Sequence, residues 1–152
     1  MNAVWKFMRS LSPTRPLRTL PSVDAYALWA ANYPPHAHNP LMQAEQAAML
    51  DLLPPLAGRV VLDLACGTGR YGLLAQAQGA ARVIGIDNSA DMLRVNPLAG
   101  RVQATSEAIP LSSGSVDVLV CGLALGHLPV LQPSLREIGR VLKPGGVALV
   151  SD

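Results

Sequence analysis

Val61-Leu62-Asp63-Leu64-Ala65-Cys66-Gly67-Thr68-Gly69-Arg70-Tyr71-Gly72 is the stretch whose reading decides the fold. It continues an apolar, β-branched run that starts at Arg59 and ends at Leu64, the pattern of a strand covered on both faces. Gly67 and Gly69 then sit where a strand must turn sharply into a helix. Without side chains they let backbone N–H groups and a ligand approach closely. Tyr71 to Gln78 reads as the helix, ended by Gly79.

The same alternation continues outward. Arg82-Val-Ile-Gly-Ile-Asp87 is a second strand, and Ser89 is an N-cap for a helix through Arg94, with Asp91 in its first turn. A third short strand is expected near Arg101–Ala104. After the loop Pro110–Ser115 comes a fourth strand, Val116–Cys121. Pro133 begins a helix with apolar Leu135, Ile138, Val141 and Leu142; Lys143-Pro144-Gly145-Gly146 is expected to stop it, the cation lying near the negative helix end. Val147–Val150 is a fifth strand. Apolar strands separated by helices predict an α/β fold with a parallel sheet covered on both faces, over residues 59–152.

Residues 23–58 read as helical, with Asp24–Asn32 and Met42–Leu53 as the two segments. Met42, Ala44, Ala48, Met49 and Leu52 are available for one side of the second. Tyr33-Pro34-Pro35-His36-Ala37-His38-Asn39-Pro40 between them is a loop by its prolines. Residues 1–22 carry four bases and no acid, and form a basic N-terminal tail. Val4, Phe7, Met8 and Leu11 in it fall at short amphipathic-helix spacing. Five of the six aromatics (Trp5, Phe7, Tyr26, Trp29, Tyr33) precede the alternating region, so its core must be aliphatic.

Composition removes several classes. The chain has 152 residues, half of them hydrophobic and 14% charged, which suits one packed domain and not a disordered chain. The net charge of +2 divides into +4 before Asp24 and −2 from Asp24 onward. A slightly acidic body with no basic stripe argues against nucleic acid as a partner. Two cysteines, Cys66 and Cys121, make no disulfide framework and no zinc-type spacing. His36-x-His38 finds no third ligand, so no metal site is expected. The near-apolar run Val118–Gly126 is too short to span a bilayer, and residues 1–20 lack the apolar centre of a secretory signal. A cytoplasmic protein is expected.

Gly67, Gly69 and Gly72 spell GxGxxG, and Asp87 ends the second strand 20 residues after Gly67. Taken alone, that is a dinucleotide fingerprint, the acid taking ribose hydroxyls, and an NAD-dependent oxidoreductase is one alternative. Three features pull away from it. Asp63 lies four residues before Gly67, where a pyrophosphate gains nothing from a carboxylate. The loop Ser106-Glu107-Ala108-Ile109-Pro110-Leu111 follows the third strand at the mouth of the same crevice. The fourth strand runs into Cys121-Gly122-Leu123-Ala124-Leu125-Gly126-His127-Leu128, before the helix that ends Arg140-Val-Leu-Lys-Pro-Gly-Gly146.

In this order and spacing, the motifs over residues 59–152 resemble the class I S-adenosylmethionine-dependent methyltransferases. The resemblance implies a Rossmann-like, doubly wound αβα fold with strand order 3-2-1-4-5. The last two strands of the family's seven would be absent, which reads as a fragment of a longer protein, a short form completed by a partner or by self-association through the exposed fifth strand, or a non-catalytic relative. It implies S-adenosylmethionine as cofactor and a small-molecule methyl acceptor. Asp63 and the turn Ala65, Gly67, Thr68 and Gly69 would form the methionine side of the site. Asp87 would hold the ribose hydroxyls, with Asn88 and Met92 beside the adenine. Ser106 and Glu107 would border the adenine, largely through backbone groups, and Gly122 would lie near the methionine moiety. The family often has Asp before the Ala-Glu pair of its third motif; here that stretch is Thr105-Ser106-Glu107.

Methyl transfer from a sulfonium is an in-line displacement, so alignment and exclusion of water can supply much of the rate without a catalytic triad. Several residues keep two readings. Asp63 either contacts the ligand or caps the turn's own N–H groups, and Asp87 either holds ribose or caps the next helix. His127 is a base facing the methyl group or a cleft-lining side chain. Arg70 reaches a ligand carboxylate or is solvated. Tyr26, Trp29 and Tyr33 cover the cofactor or pack on the body. A cofactor-binding module without activity of its own is a further alternative to the enzyme.

Overall fold

Backbone pairing in the computed structural model, which describes residues 19–152, orders five strands as β3-β2-β1-β4-β5. The strands are β1 (Val60–Leu64), β2 (Arg82–Asp87), β3 (Arg101–Gln103), β4 (Val116–Gly122) and β5 (Leu142–Ser151), and every neighbouring pair is parallel. The helices are α1 (Ser22–Trp29), α2 (Pro40–Leu52), α3 (Arg70–Ala77), α4 (Ala90–Val95) and α5 (Gln132–Val141). Short 3-10 turns lie at Ala30–Asn32 and Leu125–His127. The amphipathic pattern Val4, Phe7, Met8 and Leu11 falls outside the described residues.

Side-chain alternation splits the core into two layers, one on each face of the sheet. Val61, Val83, Val118 and Val120 point to the face covered by Met49 of α2 and Tyr71 and Ala75 of α3. Leu62, Leu64, Ile84, Ile86, Leu119 and Cys121 point to the other face, against Ile138 and Val141 of α5. That is the expected three-layer αβα arrangement. Each fully buried Val or Leu contributes about 1.5–3 kcal/mol, and Leu62, Val116, Val118 and Leu119 are wholly buried.

Two starts match local chemistry. Asn39 caps α2 by accepting from the Met42 N–H at 2.9 Å, with Pro40 in the first turn. Ser89 caps α4 through the Met92 N–H. Differences arise where tertiary contacts override punctuation. β5 begins at Leu142, five residues before Val147, because Leu142 pairs with Val116 and a register shift absorbs the Pro-Gly-Gly that follows. Lys143 serves no helix end: its ammonium lies 2.8 Å from Asp117 of β4. Leu135 and Leu52 stay exposed, leaving Ile138 and Val141 to anchor α5, and Met42 and Met49 to anchor α2.

Candidate functional site

A cavity of about 440 Å³ opens at the carboxyl ends of β1, β2 and β4, where ligands bind in open parallel sheets. Ala65, Gly67, Thr68, Asp87, Asn88, Met92, Ser106, Glu107, Gly122 and His127 all line it. Asp63 and Gly69 do not.

Asp87 is held in place by backbone. One carboxylate oxygen accepts from the Gly67 N–H and the other from the Ser89 N–H, both at 2.8 Å. It therefore steadies Ser89, the cap of α4, and ties the glycine turn to the end of β2 while facing the cavity. Burial pushes its carboxyl up, against the N–H bonds from Ser89, Gly67 and Asn88, which favour the anion.

The placement of Asp63 corrects the expectation that it lies on the cavity wall. It follows Val61 by two residues, so strand alternation turns it toward α3, where Oδ2 accepts from the Gly72 N–H at 2.7 Å. Gly69, the N-cap of α3, has no side chain to satisfy that helix's free donors, and Asp63 does so from the sheet. The carboxyl is 2% exposed. Desolvation raises it to about 7, opposed by the Gly72 N–H and the Arg70 charge and reinforced by Asp87. Gly69 is buried under the turn at φ +95°, and a Cβ there would fall 2.7 Å from Asn96 Oδ1. Asn96, buried itself, donates to the Gly67 carbonyl at 2.9 Å and accepts from the Leu98 N–H. No local pattern marks Asn96 as the support of this turn.

Arg70 is not solvated. Its guanidinium pairs with Glu45 of α2 at 2.7 Å, both side chains about nine-tenths buried, and stacks on the Tyr71 ring at 4.3 Å. Glu45 also accepts from the Tyr71 hydroxyl at 2.7 Å and from the Ser151 hydroxyl. Burial alone would raise Glu45, but the bonds from Ser151, Tyr71 and Arg70 and the Arg70 charge hold it below the usual carboxylate range. Gly122 lies against this network: a Cβ there would collide with Tyr71 and sit 3.0 Å from Glu45 Oε1. Glu45 escaped the sequence reading because its partners are 25, 26 and 106 residues away.

Among the described residues two non-glycine residues adopt left-handed backbone, Ala65 at φ 56° and Leu123 at φ 55°. Each directly follows a central strand and lines the cavity. Such conformations cost about 1–3 kcal/mol and cluster at functional sites. The loop bearing Ser106 and Glu107 is clamped by α5. Ser106 Oγ meets the buried Ser134 Oγ at 2.8 Å, and Arg140 donates to the Ile109 and Leu111 carbonyls at 2.8 and 2.7 Å. Glu137 completes the clamp by accepting from the Ile109 N–H and from Arg140, whose bonds hold its carboxyl down at about 2.

On the opposite wall, Tyr26 and Tyr33 line the cavity, while Trp29 is 54% exposed. Tyr26 makes edge contacts with Trp29, Tyr33 and His127, and its hydroxyl lies 3.1 Å from His127 Nε2. Burial, Tyr33 and Asp87 raise the Tyr26 phenol. His38 Nδ1 meets the His36 carbonyl at 3.2 Å. Among the described residues no group of three or more His, Cys, Asp or Glu could hold a metal ion. Cys66 and Cys121 are buried, and desolvation pushes both thiols up, Cys121 to about 12. Among the described residues no helix is long and apolar enough to cross a membrane.

A parallel 3-2-1-4-5 sheet, with a glycine turn and an acid at adjacent strand ends, defines a Rossmann-like domain with a small-ligand crevice. Residues 62–150 match a family model described as a methyltransferase domain. A ubiquinone/menaquinone biosynthesis C-methyltransferase from Syntrophotalea carbinolica is 39% identical over 113 residues, covering 68% of this chain and 47% of that protein. A malonyl-[acyl-carrier protein] O-methyltransferase from Enterobacter lignolyticus is 36% identical over 136 residues, covering 84% and 54%. The crystal structure of an S-adenosylmethionine-dependent methyltransferase from Mesorhizobium loti superposes with a TM-score of 0.66 at 29% identity, covering 70% and 52%. The chain belongs to the class I S-adenosylmethionine-dependent methyltransferase family. It spans about half the length of the curated relatives it matches.

Proposed function

We propose that this chain binds S-adenosylmethionine in the cavity at the strand ends and transfers its methyl group to a small-molecule acceptor. The observation that carries the reading is Asp87, fixed by two N–H donors beside the Gly67 turn and facing the cavity. The donor set fits the cofactor. Asp87 supplies a carboxylate for vicinal ribose hydroxyls, and Met92 and Ile86 give an apolar wall for a flat base. The Ser106–Glu107 backbone edges that wall, and Gly122 leaves room beside Arg70. Bound there, the cofactor supplies an electrophilic methyl carbon on a sulfonium.

The chain's own work is alignment. The Asn96-buttressed turn and the α5 clamp hold the two sides of the cleft at fixed separation, and the 23–58 segment covers it with Tyr26, Tyr33 and Met42. Oriented, water-poor encounter is what an in-line displacement requires. The test is calorimetric titration of the whole chain with S-adenosylmethionine, S-adenosylhomocysteine and NAD, alongside Asp87→Ala. Saturable binding of the first two, weakened about 10–100-fold by loss of a charged hydrogen bond, supports the reading. Binding of NAD alone overturns it. Cofactor binding without turnover of any acceptor would leave a binding module in place of the enzyme.

A further inference from the structure

The cavity has two unlike walls. The Gly67, Asp87, Met92 and Ser106 side is accounted for by the cofactor reading. The facing wall comes from α1, the 33–39 loop, the start of α2 and the turn after β4, and holds Tyr26, Tyr33 and His127. Resting on the cofactor reading, and from the Tyr26–His127 contact, we infer that these two side chains form a proton relay for an uncharged acceptor bearing a hydroxyl group.

Three observations carry this. Tyr26 Oη and His127 Nε2 are 3.1 Å apart, within hydrogen-bond reach, and both residues line the cavity. The phenol is oriented before any acceptor arrives, by edge contacts with Trp29 at 5.5 Å, Tyr33 at 6.0 Å and His127 at 5.6 Å. His127 is exposed on its outer side, so a proton it receives has an exit to solvent. The nearby titratable groups are Tyr33 and Asp87, which with burial favour the protonated phenol, and Asp152, whose carboxylate accepts from the Gly126 N–H at 2.9 Å.

The acceptor class follows from the same wall. Among the described lining residues the one guanidinium or ammonium is that of Arg70, already paired with Glu45, so a carboxylate or phosphate acceptor has no free counter-charge. A neutral amine carries a usable lone pair and needs no base before attack, whereas a hydroxyl gains from early proton removal. In the balanced step the acceptor oxygen bonds the methyl carbon as the carbon–sulfur bond breaks, its electron pair staying on sulfur. The acceptor proton passes to Tyr26 Oη while the Tyr26 proton passes to His127 Nε2. His127 Nδ1 carries the ring's proton beforehand, and the imidazolium then releases one to water.

The test uses the full chain with ¹⁵N-labelled histidine, with Tyr26→Phe and His127→Gln as variants. Nitrogen NMR should show Nε2 of His127 unprotonated and hydrogen-bonded, its signal moving in Tyr26→Phe; a proton resident on Nε2 overturns the relay. S-adenosylhomocysteine formation is then measured with p-cresol, catechol and cyclohexanol against benzylamine. Turnover of a hydroxyl probe that falls ~10²-fold or more in both variants, the range of a positioned base, supports the inference. Failure of every hydroxyl probe, or equal turnover in the variants, overturns it. Titration with S-adenosylhomocysteine separates the two readings: intact binding in both variants with the relay absent sinks this inference alone, while no binding by wild type sinks the methyltransferase reading.

Discussion

Replacing Asp63 by Asn should change how the protein's stability depends on pH, in a direction set by one buried carboxyl. Asp63 is enclosed between β1 and α3, and desolvation raises it from an ordinary 3.8 to about 7. Each pH unit of difference between folded and unfolded affinities is worth about 1.4 kcal/mol, so a rise of about three amounts to about 4 kcal/mol. Below about pH 4 both states hold the proton, and the folded state keeps the full contribution of this group. Between about pH 4 and 7 the unfolded chain releases its proton while the folded chain retains it, so stability falls as pH rises. The Asn side chain would keep an acceptor for the Gly72 N–H and has no proton to lose. Its unpaired amide hydrogens impose a cost that does not vary with pH. The difference in unfolding free energy, Asn variant minus wild type, should therefore grow by about 4 kcal/mol between pH 4 and pH 8. Glu45, Asp117 and Glu137, all held low, act the opposite way in both proteins and cancel in the difference. Urea unfolding followed by circular dichroism at each pH gives the quantity directly. A difference that stays flat within about 1 kcal/mol would refute the assignment of Asp63 as a desolvated carboxyl, because linkage then has no proton to act on.

Contacts around the cavity give three further expected outcomes. Glu45→Gln removes the charge opposite buried Arg70 and should cost about 3–5 kcal/mol in urea unfolding at pH 7. Wild type should approach the variant on acidification, because a carboxyl held low loses its contribution as pH falls. Gly122→Ala drives a methyl group into Tyr71 and Glu45; it should destabilise by about 1–3 kcal/mol and weaken S-adenosylhomocysteine binding in calorimetry. Arg140→Lys removes the fork that holds the Ile109 and Leu111 carbonyls, so hydrogen exchange at the Ile109 amide should quicken while the Val61 and Val118 amides of the central strands stay protected.

What the sequence made legible was whatever depends on neighbours a few residues apart. The strand–turn–helix at 59–78, the Ser89 cap and the parallel character of the sheet rest on local periodicity and short connections, while the strand order came from the family resemblance. Asp87 and the glycine turn were legible for the same reason, since spacing along one βα unit brings them together. Asp63 shows where spacing stops helping: motif position suggested the cleft, while strand parity turned its side chain under α3. Arg70 read as either a ligand contact or a solvated side chain because Glu45, which neutralises it, lies on another helix. Asn96, Ser134 and Arg140 act as supports only through partners about 28–31 residues away in sequence. No repeat or composition bias encodes such pairings, and packing alone reveals them.

The bond between Ser151 and Glu45 has a consequence for the order in which the molecule is made. The two residues are 106 positions apart, and at about 5–20 residues per second of synthesis Glu45 emerges some 5–20 s before Ser151. Late in that interval the nascent protein has its glycine turn, Asp87 and β4, but β4 pairs only with β1 and Leu123 has no Ser151 to hold its left-handed backbone. Parallel pairing over such separations is slow to form, so the wall at Gly122 sets after the wall at Asp87. The ribosome therefore delivers a half-built cleft first, and the Ser151–Glu45 hydrogen bond closes only when β5 docks.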